Sequence, residues 1–132
     1  MKSQRENIII NYLSPNKALD VVDMYGWLSP DIVIQEPEML PWGGRYEGLA
    51  GVGAYLIKVT ESIISEIQLE EVYSCGDKVV AIGRSLGKVR RSGQKFNIRV
   101  TQLFSFNEEN KINQVEFLAD LPAFMEVLRV GE

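Results

Sequence analysis

The chain has 132 residues, with 14 Lys+Arg against 18 Asp+Glu, a formal charge of -4, no His and one Cys. Without His, His-based triads, His proton relays and His-rich metal sites are excluded, and one Cys excludes an intrachain disulfide and points to a cytoplasmic setting. A folded chain of this size exposes about 7,000 Å² against roughly 21,600 Å² when open, which fits one domain over residues 1–132 and leaves no room for a second substrate domain.

Taken in chain order, residues 4–13 place Ile8, Ile9, Tyr12 and Leu13 near one side of a helix. Arg5 and Glu6 precede the short apolar run Ile8–Ile10, and no small-residue cleavage site follows, so this segment does not read as a signal peptide. Ser14-Pro15 reads as an N-cap with Pro at the first helical position of a second helix, which carries Ala18, Leu19, Val22, Tyr25 and Leu28 and ends at Ser29-Pro30-Asp31. Ile32-Val33-Ile34 is a short β run closed by Glu36-Pro37. Residues 37–48, with three Gly, two Pro, Trp42 and Tyr46, form a long loop of the kind that carries function. Helical spacing returns over 49–64 through Val52, Tyr55, Leu56, Val59 and Ile63.

The second half reads as strands and turns. Strands are expected at 67–73, 78–90, 95–106 and 111–118, with turns at Gly76-Asp77, Ser92-Gly93 and Glu108-Glu109-Asn110. Gly83 and Gly87 are bend or bulge points. Asp120, with Pro122 behind it, opens a closing helix through Arg129 whose stripe is Leu121, Phe124, Met125 and Leu128. Helices followed by hairpin-linked strands indicate an α+β fold.

Several motifs carry little. The glycines of Gly48–Gly53 lack the strand context and the acidic partner that dinucleotide binding needs. Lys88, Arg90, Arg91 and Lys95 surround Ser92-Gly93 as a solvated hairpin tip, and the net acidity argues against nucleic acid. No apolar run approaches the roughly 20 residues of a membrane span. Cys75, beside a turn, has no His to activate it.

The chain resembles the nuclear transport factor 2-like superfamily, in its SnoaL-like polyketide cyclase and ketosteroid isomerase branches. The resemblance rests on Asp31-x5-Pro37, Pro41-Trp42-Gly43-Gly44-Arg45-Tyr46-x-Gly48-x2-Gly51-Val52, Gly76-Asp77-x-Val79-Val80, and Phe104-x-Phe106 followed by Lys111-Ile112. It implies a cone-shaped roll, with helices packed in a strongly curved, mostly antiparallel sheet around a pocket. It also implies a homodimer built on the outer sheet face. The superfamily holds isomerases, cyclases, hydratases, epoxide hydrolases and non-catalytic binders.

Matched residue by residue to the ketosteroid isomerases, Glu36 stands where the general base precedes a Pro, and Tyr12 where the oxyanion-hole Tyr lies. Gln102 stands where that family has a protonated Asp. Gln102 is also the one polar residue on the apolar parity Phe96, Ile98, Val100, Gln102, Phe104, Phe106, so it is either a hydrogen-bonded structural amide or a pocket residue. Trp42, Tyr46, Tyr55, Phe104 and Phe117 are the expected ligand walls, with Trp42 and Tyr46 either a lid or hydrophobic plugs.

Arg99 and Glu116 fall on the opposite parity and read as outer-face residues unless a bulge near residue 97 reverses Arg99, and Asp120 reads as an N-cap or as a carboxylate at the pocket mouth. The expectation is a hydrophobic small-molecule pocket, with no metal and no organic cofactor. Isomerisation or cyclisation by proton abstraction at carbon comes first. A non-catalytic binder or scaffold, and a hydratase or epoxide hydrolase, are the alternatives.

Overall fold

Burial along the strands separates two sheet faces. On β5 (Lys95–Phe106), Phe96, Ile98, Val100, Gln102 and Phe104 are buried, while Lys95, Asn97 and Arg99 are exposed. This alternation is what a strand shows when one face meets a core. A computed structural model describes residues 2–13 and 21–130, with the backbone alone for 21–23. The remaining elements are α1 (Gln4–Tyr12), α2 (Val21–Gly26), β1 (Leu28–Glu36), β2 (Gly44–Glu47), α3 (Gly48–Ser62), β3 (Ile63–Cys75), β4 (Lys78–Val89), β6 (Ile112–Ala119) and α4 (Leu121–Arg129). The six strands form one curved, unclosed sheet in the order β2-β1-β6-β5-β4-β3. All neighbours are antiparallel except β1 and β6, which run parallel with Ile34 opposite Val115. The architecture is α+β, as the sequence indicates.

Local chemistry starts and ends the helices. Ser3 and Glu6 form a reciprocal capping box at α1, the Ser3 hydroxyl accepting from Glu6 N–H and the Glu6 carboxylate from Ser3 N–H. Asp120 caps α4 by accepting from Ala123 N–H at 3.2 Å, and Pro122 sits in the first turn.

Some expectations change. The strand expected at 32–34 begins at Leu28, so Ser29-Pro30-Asp31 lies within β1 and the second helix ends earlier, at Gly26. The expected cap at Ser14-Pro15, and Ala18 and Leu19, lie outside the described residues. The 37–48 loop also contains a strand, β2, whose Gly44 to Glu47 pair with Glu36 to Val33. Four residues without a long apolar alternation give too weak a signal for sequence periodicity.

Gly83 and Gly87 do not bulge. The register shift lies across from Gly83 on β3, between Leu69 and Glu71. A Cβ on Gly83 would collide with the Gln68 carbonyl oxygen, and one on Gly87 with that of Ile64. The β3 backbone therefore folds over the inner face of β4 at both points, which makes the sheet concave.

Two apolar clusters fill the concavity. One joins Ile9, Ile32, Ile34, Val52, Phe104 and Val115. The other joins Leu40, Trp42, Ile63, Ile98, Val100 and Phe124. Tyr55 on α3 packs against both. Gly87→Ala should lower stability by about 1–3 kcal/mol, as overpacking does, measured by urea unfolding. Wild-type stability would mean that β3 can step away from β4 freely.

Candidate functional site

Glu36 is the last residue of β1, and Pro37 ends the strand by removing a donor. The loop that follows is a pair of tight turns, Leu40 N–H bonding Pro37 O at 3.2 Å and Gly43 N–H bonding Leu40 O at 2.8 Å. It returns the chain into β2 and lays Leu40 and Trp42 over the open end of the concavity. Both are buried. The Tyr46 hydroxyl holds this fold by donating to Trp42 O at 3.0 Å. Trp42 meets Phe124 of α4 edge-on, with ring centroids 5.6 Å apart. Trp42 is thus a hydrophobic plug in this structure.

Glu36 is only 4% exposed. It borders a cavity of about 70 Å³ whose walls include Trp42, Tyr55, Val100, Phe117 and Phe124. The Tyr55 hydroxyl donates to Glu36 Oε2 at 2.6 Å. Burial pushes the Glu36 carboxyl up from 4.5 to about 7, against the opposing pull of hydrogen bonds from the Tyr55 phenol and the Trp42 side chain. Burial and the adjacent Glu36 charge raise Tyr55 well above its ordinary value, so it remains a donor throughout the neutral range. The arrangement is a proton acceptor poised near neutrality beside a neutral hydrogen-bond donor, inside apolar walls. Such a pair can remove a carbon-bound proton and stabilise the oxyanion that forms.

Tyr12, the expected partner of Glu36, does not border this cavity. It lies in the other cluster, edge-on to Phe104 at 5.9 Å, and burial pushes its phenol up to about 12. The phenol on Glu36 is Tyr55, which the sequence placed only as a wall. Gln102 is buried on the inner face between Ala81 and Phe117 in register, two strands from Glu36 with β6 between them, and is not among the cavity walls.

Of the expected walls, Trp42, Tyr55 and Phe117 border the cavity. Tyr46 stands behind Tyr55, with rings 5.3 Å apart, and Phe104 is fully buried in the core.

The register from Arg84–Arg99 to Leu86–Asn97 is continuous, so no bulge reverses Arg99. Arg99 is on the outer face, 3.6 Å from Glu70, and Glu116 pairs there with Leu103. Asp120 is the cap of α4. Leu40, Phe124 and Ser85 were not expected at the site. Phe124 was legible as part of an apolar stripe, and Ser85 as the one hydroxyl on the inner parity of β4. Among the described residues, no three of His, Cys, Asp or Glu converge as a metal-binding group.

Because the native state holds the Glu36 proton more tightly than the unfolded chain, the resulting stabilisation is full below about pH 4.5. It is lost as pH rises through about 7. Compared with Glu36→Gln, which cannot titrate, the wild type should lose on the order of 3 kcal/mol across this interval, read from urea unfolding at each pH. Parallel profiles for the two proteins would return Glu36 to an ordinary carboxyl.

A model of the SnoaL-like domain matches residues 17–115. Solved structures align over nearly the whole chain. TerC, co-crystallised with polyporic acid, shares 22% identity, covers 96% of this chain and 98% of its own, and has a TM-score of 0.85. An NTF2-like protein of unknown function from Burkholderia pseudomallei K96243 shares 17% identity over 98% of this chain and 100% of its own, with a TM-score of 0.86. A candidate SnoaL-like polyketide cyclase from Jannaschia sp. CCS1 shares 17% identity over 100% of this chain and 99% of its own, with a TM-score of 0.82. A search of curated proteins finds no match. With its curved six-stranded sheet and its match to that domain over most of its length, the chain belongs to the SnoaL-like domain family and has the NTF2-like fold.

Proposed function

We propose that the protein is a cofactor-independent enzyme that moves a carbon-bound proton on a small, apolar carbonyl compound. The observation that carries this reading is the buried Glu36 carboxyl, shifted to about 7 and bonded by Tyr55 at the edge of an apolar cavity. In the reaction, a Glu36 carboxylate oxygen takes the proton from the carbon beside the carbonyl. The electron pair moves into the carbonyl, and the Tyr55 hydroxyl donates to the oxygen as it becomes an enolate. Where the ligand carries a β,γ double bond, the enolate is conjugated with it, and Glu36 returns the proton at the γ-carbon, which moves the double bond into conjugation with the carbonyl. Alternatively, the enolate carbon attacks a second carbonyl of the same molecule, which closes a ring, and that oxygen takes up the proton. Both steps balance without an oxidant or reductant.

The cavity of about 70 Å³ is smaller than the several hundred Å³ of ordinary ligand pockets. A ligand therefore displaces the Leu40–Trp42 turn when it binds. The small cavity, with Glu36 already hydrogen-bonded, equally supports a second reading as a non-catalytic binder.

Deuterium exchange at the α-carbon, followed by NMR over a panel of cyclic ketones, separates the two readings. The enzyme should exchange at least one compound, with kcat/KM rising to a plateau above about pH 7. Glu36→Gln should reduce the rate by about 10³-fold and Tyr55→Phe by about 10²-fold, with ligand binding retained. Binding without exchange in the wild type would identify a binder.

We also propose a homodimer through the outer sheet face, in a cytoplasmic setting suggested by the single Cys. Among the described residues, no helix is long and apolar enough to cross a membrane. The outer face carries Tyr73, Val80 and Leu103 in one register row and Ile82, Thr101 and Leu118 in the next, with Tyr73 and Leu118 both nearly half exposed. Beside them, Glu70 lies between Arg84 and Arg99. A face with an apolar centre and both charge signs is self-complementary, as a two-fold contact requires. Light scattering should give twice the chain mass for the wild type and a folded monomer for Leu103→Glu. A monomeric wild type at micromolar concentration would remove the proposal.

A further inference from the structure

The wall opposite Glu36 contains one polar group that the proposed reaction does not use. Ser85 is only 4% exposed and borders the same cavity. Among the described residues none hydrogen-bonds its hydroxyl, and the oxygen is open to the cavity, not sealed within the wall, so a ligand can reach it. Its neighbours on the inner face of β4 are Gly83 and Gly87, which have no side chains, so nothing on its own strand shields it. Ile98 and Ile67, its partners across β5 and β3, are apolar and offer no side-chain acceptor. Ser65 lies near the same wall, but it is exposed and stands at the rim.

The position of Ser85 is independent of the Glu36 pole. In sheet order, β4 is separated from β1 by β6 and β5. The row of Phe117 and Gln102 that runs beside Glu36 crosses β4 at Ala81, and Ser85 is two inner-face positions further along. Curvature brings both residues to one cavity, where Val100, Phe117 and Phe124 supply apolar surface. The cavity thus has a proton-transferring pole and a second, neutral hydrogen-bonding pole.

We infer that Ser85 is a specificity-determining residue that binds a second oxygen, a hydroxyl or a carbonyl, at the end of the ligand remote from the reacting carbonyl. The ligand class is a ketone with an apolar ring as its body and an oxygen function at each end. This rests on the reading of Glu36 as the pole for the reacting carbonyl. It goes beyond that reading in assigning the far end. A hydroxyl at Ser85 can donate or accept, so the pole admits either oxygen type. A ligand lacking the second oxygen leaves Ser85 unpaired, which is the physical basis of discrimination.

The test uses acetophenone and 4-hydroxyacetophenone as matched probes, with dissociation constants from NMR shift titration of the full chain. The wild type should bind the hydroxylated probe about 10-fold more tightly. Ser85→Ala should abolish that preference, with acetophenone binding unchanged. Glu36→Gln should keep the preference, because it alters the other pole. Absence of carbon exchange in the wild type, or exchange unchanged by Glu36→Gln, with an intact preference would therefore sink the catalytic reading alone.

Equal affinities in the wild type, no resonance shifts from either probe at millimolar concentration, or a preference that survives Ser85→Ala would each overturn the Ser85 assignment. The ligand-free protein provides a second readout. Ser85→Ala should leave the melting temperature unchanged or raise it, since no protein hydrogen bond is lost. A fall of about 4 °C or more would identify a structural hydroxyl and overturn the assignment.

Discussion

Between Val79 and Val89 the inner face of β4 carries no side chain larger than a serine, and the β3 backbone runs where Cβ atoms on Gly83 and Gly87 would stand. This close approach bends the sheet. Without it, β3 would continue the surface begun by β5 and β4, and α3 and α4 would rest on a flatter floor. The concavity, the two apolar clusters and the cavity at their junction all follow from that curvature. The extra residue on β3, Glu70, belongs to the same device. A bulge increases local twist, and this one lies opposite the first of the two glycines.

The second dependence is electrostatic. A carboxylate placed among Leu40, Trp42, Phe117 and Phe124 loses its water, and burial raises its affinity for a proton. Two groups restrain the shift, and each has another task. Trp42 closes the open end against Phe124, and Tyr55 joins the two halves of the core. The carboxyl therefore remains near the midpoint of its ionisation at neutral pH because of residues that also build the cavity. In a chain without His, this is how a group comes to exchange protons in the physiological range.

Much of the fold was legible because its strands are long and alternate cleanly. The apolar parity of Phe96 to Phe104 identifies the inner face of β5 and places Arg99 outside, which the register bears out. The brief strand Gly44–Glu47 and the early start of β1 were not legible. The first is too short for a periodic signal, and the second begins with Ser-Pro, which reads locally as a terminator. At the site, Glu36 was found through its resemblance to the family's base before a Pro, and Trp42, Tyr55 and Phe117 through their bulk. The pairing of Glu36 with Tyr55 was not visible, since it depends on how α3 lies across β1. The family resemblance favoured Tyr12, which faces Phe104 instead. Ser85 was passed over because a lone Ser in a strand carries no pattern. Its meaning comes from what surrounds it in space.

The parallel pairing of β1 with β6 has a kinetic consequence. The strand bearing Glu36 has only β2 as a local partner, and its other edge waits for a strand near the far end of the chain. The β3–β4–β5–β6 meander can assemble through successive hairpins, but β1 joins it by closing a loop that spans most of the sequence. Contacts of such separation form slowly because the chain entropy is lost before the contact contributes. Joining β1 to β6 is therefore the pairing in the sheet that costs the most chain entropy, and it seats the strand that bears Glu36.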